Sequence, residues 1–124
     1  MLSIGTVVVG VGDLHRAVAF WTQALNYVPK REITEDDDFM ILVPVDGGDG
    51  AHLALDVSES PVQQYPRIHL DLYAGDATDQ AAEVERLVSL GAKRVEWDRY
   101  PEHADFVVMA DPEGNPFCVI DTST

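Results

Sequence analysis

The side chains best placed to do chemistry in this sequence are His69 and Asp71. Residues 67–73 are predicted to form a β-strand, in which alternate side chains point to the same face. His69 and Asp71 therefore share a face, where a carboxylate–imidazole pair can act as a general base near neutral pH. The simpler interpretation is that Asp71 is a structural acid at the end of the strand, which pairs with Arg67 or stays solvated.

Other reactive and aromatic side chains are scattered along the chain. Trp97 and Tyr100 lie in an aromatic, loop-like segment, where they either line the mouth of a cavity or take part in ordinary packing. His15 and His103 are expected to be solvated. The sequence lacks the Gly-x-Ser-x-Gly, Cys-x-x-Cys and His-Glu-x-x-His motifs, and its glycine-rich turn is not followed by the Lys-Ser/Thr of a phosphate-binding loop.

The composition excludes several classes of partner. The chain has 124 residues, of which 22 are acidic and 8 basic, for a formal net charge of −14. This charge repels polyphosphates and anionic membranes, so nucleic acid and membrane are not expected partners, whereas a cationic or neutral small molecule is. No apolar run approaches the roughly 20 residues of a membrane-spanning helix. The single cysteine and the absence of a recognisable leader predict a cytoplasmic location.

The elements that must position these side chains follow the same order in both halves of the chain. An offset of 63 residues superimposes Gly12-Asp13 on Gly75-Asp76 and Thr6 on His69, which indicates an internal duplication. Each half predicts a βαβββ module, with module 1 at about 1–57, a connector at 58–66 and module 2 at about 67–124. The predicted strands lie at 2–11, 28–33, 39–43, 52–57, 67–73, 93–98, 105–110 and 117–121, and the predicted helices follow Asp13 and Asp76.

Two segments resemble a known family. Residues 11–21 (VGDLHRAVAFW) are similar to the first strand-to-helix turn of the vicinal oxygen chelate superfamily, which includes glyoxalase I, extradiol dioxygenases, and fosfomycin and bleomycin resistance proteins. Residues 111–117 (DPEGNPF) resemble its closing turn. The resemblance spans nearly the whole chain. It implies an α+β fold and a single glyoxalase-like domain over 1–124. In this domain two βαβββ modules form curved mixed sheets around a cavity.

The resemblance also implies where a metal would bind. Metal-dependent members hold a divalent ion with His, Gln or Glu, and the corresponding positions here are Thr6, a residue near Ala54, His69 and Cys118. Only His69 is an ordinary ligand, so an incomplete metal site and no resident metal are expected. The alternative is a divalent metal at His69, because imidazole and thiolate suit zinc. Without a metal, His69 would hydrogen-bond in the sheet or to an organic ligand, and Cys118 would be a small buried apolar group.

Because side chains alternate along a strand, residues two positions from these metal-site positions should face the same cavity. In the second module Ile68, Leu70 and Leu72 are expected to point the other way, under the helix. The predicted ligand-binding residues are Thr6, Val8, His52, Ala54, His69, Asp71, Trp97, Tyr100 and Cys118.

The function expected from the resemblance is binding of a neutral or cationic organic ligand, as in the bleomycin resistance proteins, with no bond broken. The alternative is a lyase, isomerase or dioxygenase of the same superfamily, which would use a metal at His69 or a base formed by His69 and Asp71. A domain that senses a metabolite is a third possibility. A homodimer is expected, since two modules form half of the paired arrangement usual in small members of this superfamily.

Overall fold

The computed structural model describes residues 1–123, in two compact units that divide after Pro61. Unit 1 contains β1 (Thr6–Val11), α1 (Leu14–Leu25), β2 (Tyr27–Pro29), β3 (Phe39–Pro44) and β4 (His52–Val57). Unit 2 contains β5 (Asp71–Gly75), α2 (Ala77–Ser89), β6 (Lys93–Arg94), β7 (Phe106–Ala110) and β8 (Pro116–Asp121). Each unit is a βαβββ module with a four-stranded mixed sheet, in the orders β1-β4-β3-β2 and β5-β8-β7-β6. The predicted α+β fold with two repeated modules is confirmed.

Both helices begin at the aspartates that the sequence indicates. The Asp13 carboxylate accepts a hydrogen bond from the Arg16 backbone N–H, and Asp76 forms a capping box with Asp79. Because Asp13 and Asp76 are 63 residues apart, the two caps lie at equivalent places in the repeat. α1 ends at Asn26, which takes the left-handed conformation with φ of 55°. Within the described residues, neither helix is long and apolar enough to cross a membrane.

The strand register relates the two units residue by residue. β1 runs parallel to β4, with Val8 opposite Ala54, and β5 runs parallel to β8, with Asp71 opposite Cys118. Val8 and Asp71 are equivalent under the 63-residue offset, so Ala54 in unit 1 occupies the place that Cys118 occupies in unit 2. This pairing identifies the counterpart of Cys118, which the sequence located only approximately.

Several predicted strands are shorter than expected. The strands predicted at 2–11, 28–33 and 93–98 correspond to the shorter strands β1, β2 and β6. The strand predicted at 67–73 corresponds to β5, which begins at Asp71. Pro116 explains the last difference: pairing at His69 would need a backbone N–H at position 116 to donate to the Ile68 carbonyl, and proline has none. Ile68 is 84% exposed, so the expectation that it packs under the helix is wrong.

Candidate functional site

The face of the unit 2 sheet that turns away from α2 carries the candidate site. Asp71, Cys118 and Val108 are register partners on β5, β8 and β7, so their side chains project from the same face. The alternate residues Phe117 and Val119 are each 1% exposed and belong to the core. The residues on one face therefore pack in the core, and those on the opposite face can line a cavity.

A cavity of about 590 Å³ lies over this face of unit 2. Five aromatic residues line it, namely Tyr65, Tyr73, Trp97, Phe106 and the buried Phe117. Its polar lining comes from His69, Asp71, Arg99, Asp105 and Cys118. The volume falls within the range typical of small-molecule sites, and a mainly apolar wall with a few converging polar groups is their usual composition.

The polar groups converge at one point of this cavity. The Nε2 atom of His69 lies 3.0 Å from Oδ1 of Asp71, and the donor atoms of His69, Asp71 and Cys118 all lie within 4.8 Å of one another. The side chains of His69 and Asp71 are 43% and 50% exposed, whereas Cys118 is 8% exposed. The result is one buried thiol below two accessible polar groups.

Cys118 is kept as a neutral thiol. Burial, together with the negative charge of Asp71, raises the pKa of the Cys118 thiol from its ordinary value of 9.0 to about 11. A thiolate is the reactive form of cysteine, and it is scarce at neutral pH when the pKa is this high. By itself, Cys118 is therefore a poor nucleophile.

Aromatic and charged side chains form one wall of the cavity. The rings of Tyr65 and Trp97 are tilted, with centroids 5.2 Å apart, and the guanidinium carbon of Arg99 lies 4.2 Å from the centre of the Tyr65 ring. The Tyr65 hydroxyl donates to Asp98 at 2.9 Å, and this bond raises the pKa of Tyr65. These contacts orient the Tyr65 ring at the cavity.

Four of the predicted site residues meet at this cavity, namely His69, Asp71, Trp97 and Cys118. Tyr100 lies next to the lining: its hydroxyl oxygen accepts a hydrogen bond of 2.8 Å from the Val108 backbone N–H, and its ring packs on Phe106. In this position Tyr100 orients lining residues.

The remaining predicted site residues belong to the sheet of unit 1. Thr6 pairs with His52 and Val8 with Ala54, so all four lie on one face of that sheet. Val8 is 56% exposed and Ala54 is fully buried. Ala54 has no donor atom in its side chain and Thr6 has only a neutral hydroxyl, so these two positions do not fit a divalent metal. The donors of unit 2 do fit one, with imidazole, carboxylate and thiol together.

Two lining residues, Tyr65 and Arg99, are not among those predicted from the sequence; they line the cavity from the connector and from the loop after β6. An aromatic residue in a proline-containing connector was the available signal for Tyr65. Their contact joins residues far apart in the chain, which local patterns do not report. His15 and His103 are exposed, as expected.

Comparison with known proteins identifies the family to which the chain is similar. The family model described as "Glyoxalase-like domain" matches residues 6–120. No curated protein sequence matches the chain.

Solved structures share the fold at low sequence identity. A glyoxalase-related enzyme from Fulvimarina pelagi is 18% identical with a TM-score of 0.71, over 98% of this chain and 89% of that one. A glyoxalase/bleomycin resistance protein/dioxygenase family enzyme from Burkholderia phytofirmans is 15% identical with a TM-score of 0.72, over 97% and 98% of the two chains. A possible glyoxalase from Bacillus cereus is 19% identical with a TM-score of 0.69, over 97% and 99%.

Proposed function

Because the chain belongs to the glyoxalase-like domain family, we propose that it is a small-molecule binding protein that holds a neutral or cationic organic ligand in the cavity of unit 2. The observation that carries this proposal is a cavity of about 590 Å³ with aromatic side chains on its walls. Flat aromatic rings offer a large contact area at a low cost in conformational entropy. The ligand-binding set of the proposal is centred on His69, Asp71, Trp97 and Cys118, with Tyr65 added.

The charge of the cavity supports the preference for a cation. Asp71 and Asp105 both line it, whereas Arg99 is the one Lys or Arg side chain among the described lining residues. The guanidinium of Arg99 is already engaged, since it stacks on Tyr65 and lies 4.0 Å from Asp98. Aromatic rings attract a cation placed over their faces, and the net charge of −14 adds a weak attraction at longer range.

The chain contains its own reporter for a test. It has two tryptophans, of which Trp97 lines the cavity and Trp21 is 2% exposed in the core of unit 1. In a Trp21→Phe variant the fluorescence would come from Trp97 alone. We expect cationic and neutral aromatic compounds to change this fluorescence at micromolar concentration, and an anionic compound of the same ring size to bind more weakly. If no cationic, neutral or anionic compound binds below millimolar concentration, or if the anionic compound binds most tightly, the proposal is contradicted.

A matched pair of variants isolates the charge contribution. Asp105→Asn removes a carboxylate from the cavity, and Asp36→Asn removes one from an exposed loop of unit 1. Affinity for the cationic compound should fall several-fold in the first variant and stay unchanged in the second. An equal fall in both would mean that only the overall charge matters.

The second candidate is an enzyme of the lyase, isomerase or dioxygenase type, favoured by the 3.0 Å pair of His69 and Asp71 at the cavity. In this hypothesis His69 removes a proton from the bound ligand and Asp71 orients the imidazole. If a bound compound is converted, His69→Gln should lower kcat far more than affinity. Turnover unchanged in that variant would eliminate this base.

The proposal keeps two further expectations, a homodimer and a cytoplasmic location. Native mass spectrometry of the full chain at micromolar concentration tests the first, and a monomer would contradict it. Fractionation of the source cells tests the second.

A further inference from the structure

We propose that the face of the Tyr65 ring covered by Arg99 is a subsite for a planar, delocalised cation, an amidinium or guanidinium group carried by an aromatic ligand. Arg99 is then a built-in competitor, because its own guanidinium occupies the subsite until a ligand displaces it. The inference rests on the proposed function, since it names the chemical class of the ligand and the residue that limits its affinity.

The Tyr65 ring is held at the cavity by contacts that do not involve Arg99. Its hydroxyl donates a hydrogen bond of 2.9 Å to Oδ1 of Asp98, and its ring lies against Trp97 with the centroids 5.2 Å apart. Tyr65 precedes β5 and Trp97 follows β6, and these strands form opposite edges of the unit 2 sheet. Two separate contacts therefore orient the ring, so a ligand finds a preformed surface once the guanidinium leaves it.

The position of Arg99 indicates which chemical group this ring accepts. Its guanidinium carbon lies 4.2 Å from the centre of the Tyr65 ring, which is the geometry of a cation–π contact, and its Nε lies 4.0 Å from Oδ1 of Asp98. A guanidinium is planar, delocalised and weakly hydrated, so it stacks on an aromatic face more readily than a compact ammonium group does. An amidinium shares these properties. The subsite therefore favours a planar cation over a tetrahedral one.

Arg99 is held weakly enough for a ligand to displace it. Its side chain is 66% exposed, so it can move into solvent with little loss of buried contact. The 4.0 Å separation from Asp98 is longer than a hydrogen bond, and exposed ion pairs of this kind add little stability. An aromatic ligand that carries the cation gains further contacts with Trp97 and Phe106, which also line the cavity, and these contacts favour it over Arg99.

Calorimetric titration of the full chain with benzamidine, benzylamine and benzamide tests the inference. The three compounds share a benzene ring and differ in the attached group, which is a planar amidinium, a tetrahedral ammonium or a neutral amide. We expect benzamidine to bind most tightly of the three. In Arg99→Gln the affinity for benzamidine should rise about two- to fivefold, the contribution of one exposed cation–π contact, because the competitor is gone.

A double-mutant cycle separates competition for the ring from simple charge repulsion. Tyr65→Leu removes the ring, so in that background Arg99→Gln should leave the affinity for benzamidine unchanged, whereas relief of charge repulsion would persist. Arg94→Gln is the matched control, because it changes the net charge equally at a side chain that is 55% exposed and paired with Glu85 on α2. It should leave the affinity unchanged. Circular dichroism would verify that each variant is folded.

An NMR measurement reports the displacement of Arg99 directly. In the free protein the ring current of Tyr65 should shift the δ-methylene protons of Arg99 upfield, since the guanidinium lies over the ring. Saturation with benzamidine should return these protons to the shifts found in Tyr65→Leu.

Four results would overturn the inference. They are a benzamidine affinity that does not rise in Arg99→Gln, a rise of equal size in the Tyr65→Leu background, benzylamine binding as tight as benzamidine binding, and δ-methylene shifts that stay the same at saturation. Each of them requires a compound that binds, so the proposed function would survive. Binding to Arg99→Gln alone would support this inference and contradict the proposed function, whereas no binding to either protein below millimolar concentration would contradict both.

Discussion

Replacing Cys118 with alanine should change how stability depends on pH. The thiol is 8% exposed beside Asp71, and burial together with that carboxylate raises its pKa from 9.0 to about 11. A raised pKa means that the folded state holds the proton more tightly than the unfolded state does. The thiol's contribution is therefore fully present below pH 9 and is lost as the pH rises toward 11.

The size of the effect follows from the two pKa values. At pH 10 the thiolate outnumbers the thiol about tenfold in the unfolded chain, whereas the thiol outnumbers the thiolate about tenfold in the folded one. The unfolded state thereby gains a factor of about ten in population, which corresponds to about 1.4 kcal/mol. Above pH 11 the loss approaches about 2.7 kcal/mol.

Urea unfolding at pH 8 and pH 10, in the presence of a chelator, measures this difference. The free energy of unfolding should fall between the two pH values by about 1.4 kcal/mol more in the parent protein than in Cys118→Ala. The ionisation of tyrosines and lysines contributes to both proteins and cancels in the comparison. Asp71→Asn keeps the thiol but removes one cause of its shift, so it should show a smaller fall than the parent. Identical pH dependence in the parent and in Cys118→Ala would refute the reasoning.

Three further predictions concern local structure. The Arg31 guanidinium, which makes two 3.0 Å hydrogen bonds to the Asp37 carboxylate, lowers the pKa of Asp37 to about 2, and in Arg31→Gln an NMR titration should find that pKa nearer 3.8. Asp76→Ala removes the capping box of α2 and should cost about 1 kcal/mol in urea unfolding, whereas Asp76→Asn should cost less. Gly114→Ala should destabilise by about 1 kcal/mol or more in the same assay, because φ is 90° there, and a urea midpoint equal to that of the parent would contradict this.

The parts of the fold that depend on neighbours in the chain were predictable from the sequence. Asp13 and Asp76 cap helices because a cap is completed within three residues, and the 63-residue repeat gave both modules their element order. Local alternation also predicts a shared face for His69 and Asp71; although β5 begins only at Asp71, Nε2 of His69 lies 3.0 Å from Oδ1 of Asp71. The strand predicted at 67–73 is too long because local patterns do not report the partner strand, where Pro116 has no backbone N–H to donate.

The sequence by itself determined the modules, the caps and the acidic character of this protein, since these depend on composition and on spacings of a few residues. Tertiary structure alone decided which side chains meet at the cavity. The opposition of Asp71 and Cys118 comes from the register of β5 on β8, and Arg99 reaches Tyr65 through a loop and a connector. Such contacts join positions distant in the chain, and packing of the whole unit selects them from many that the local sequence permits equally.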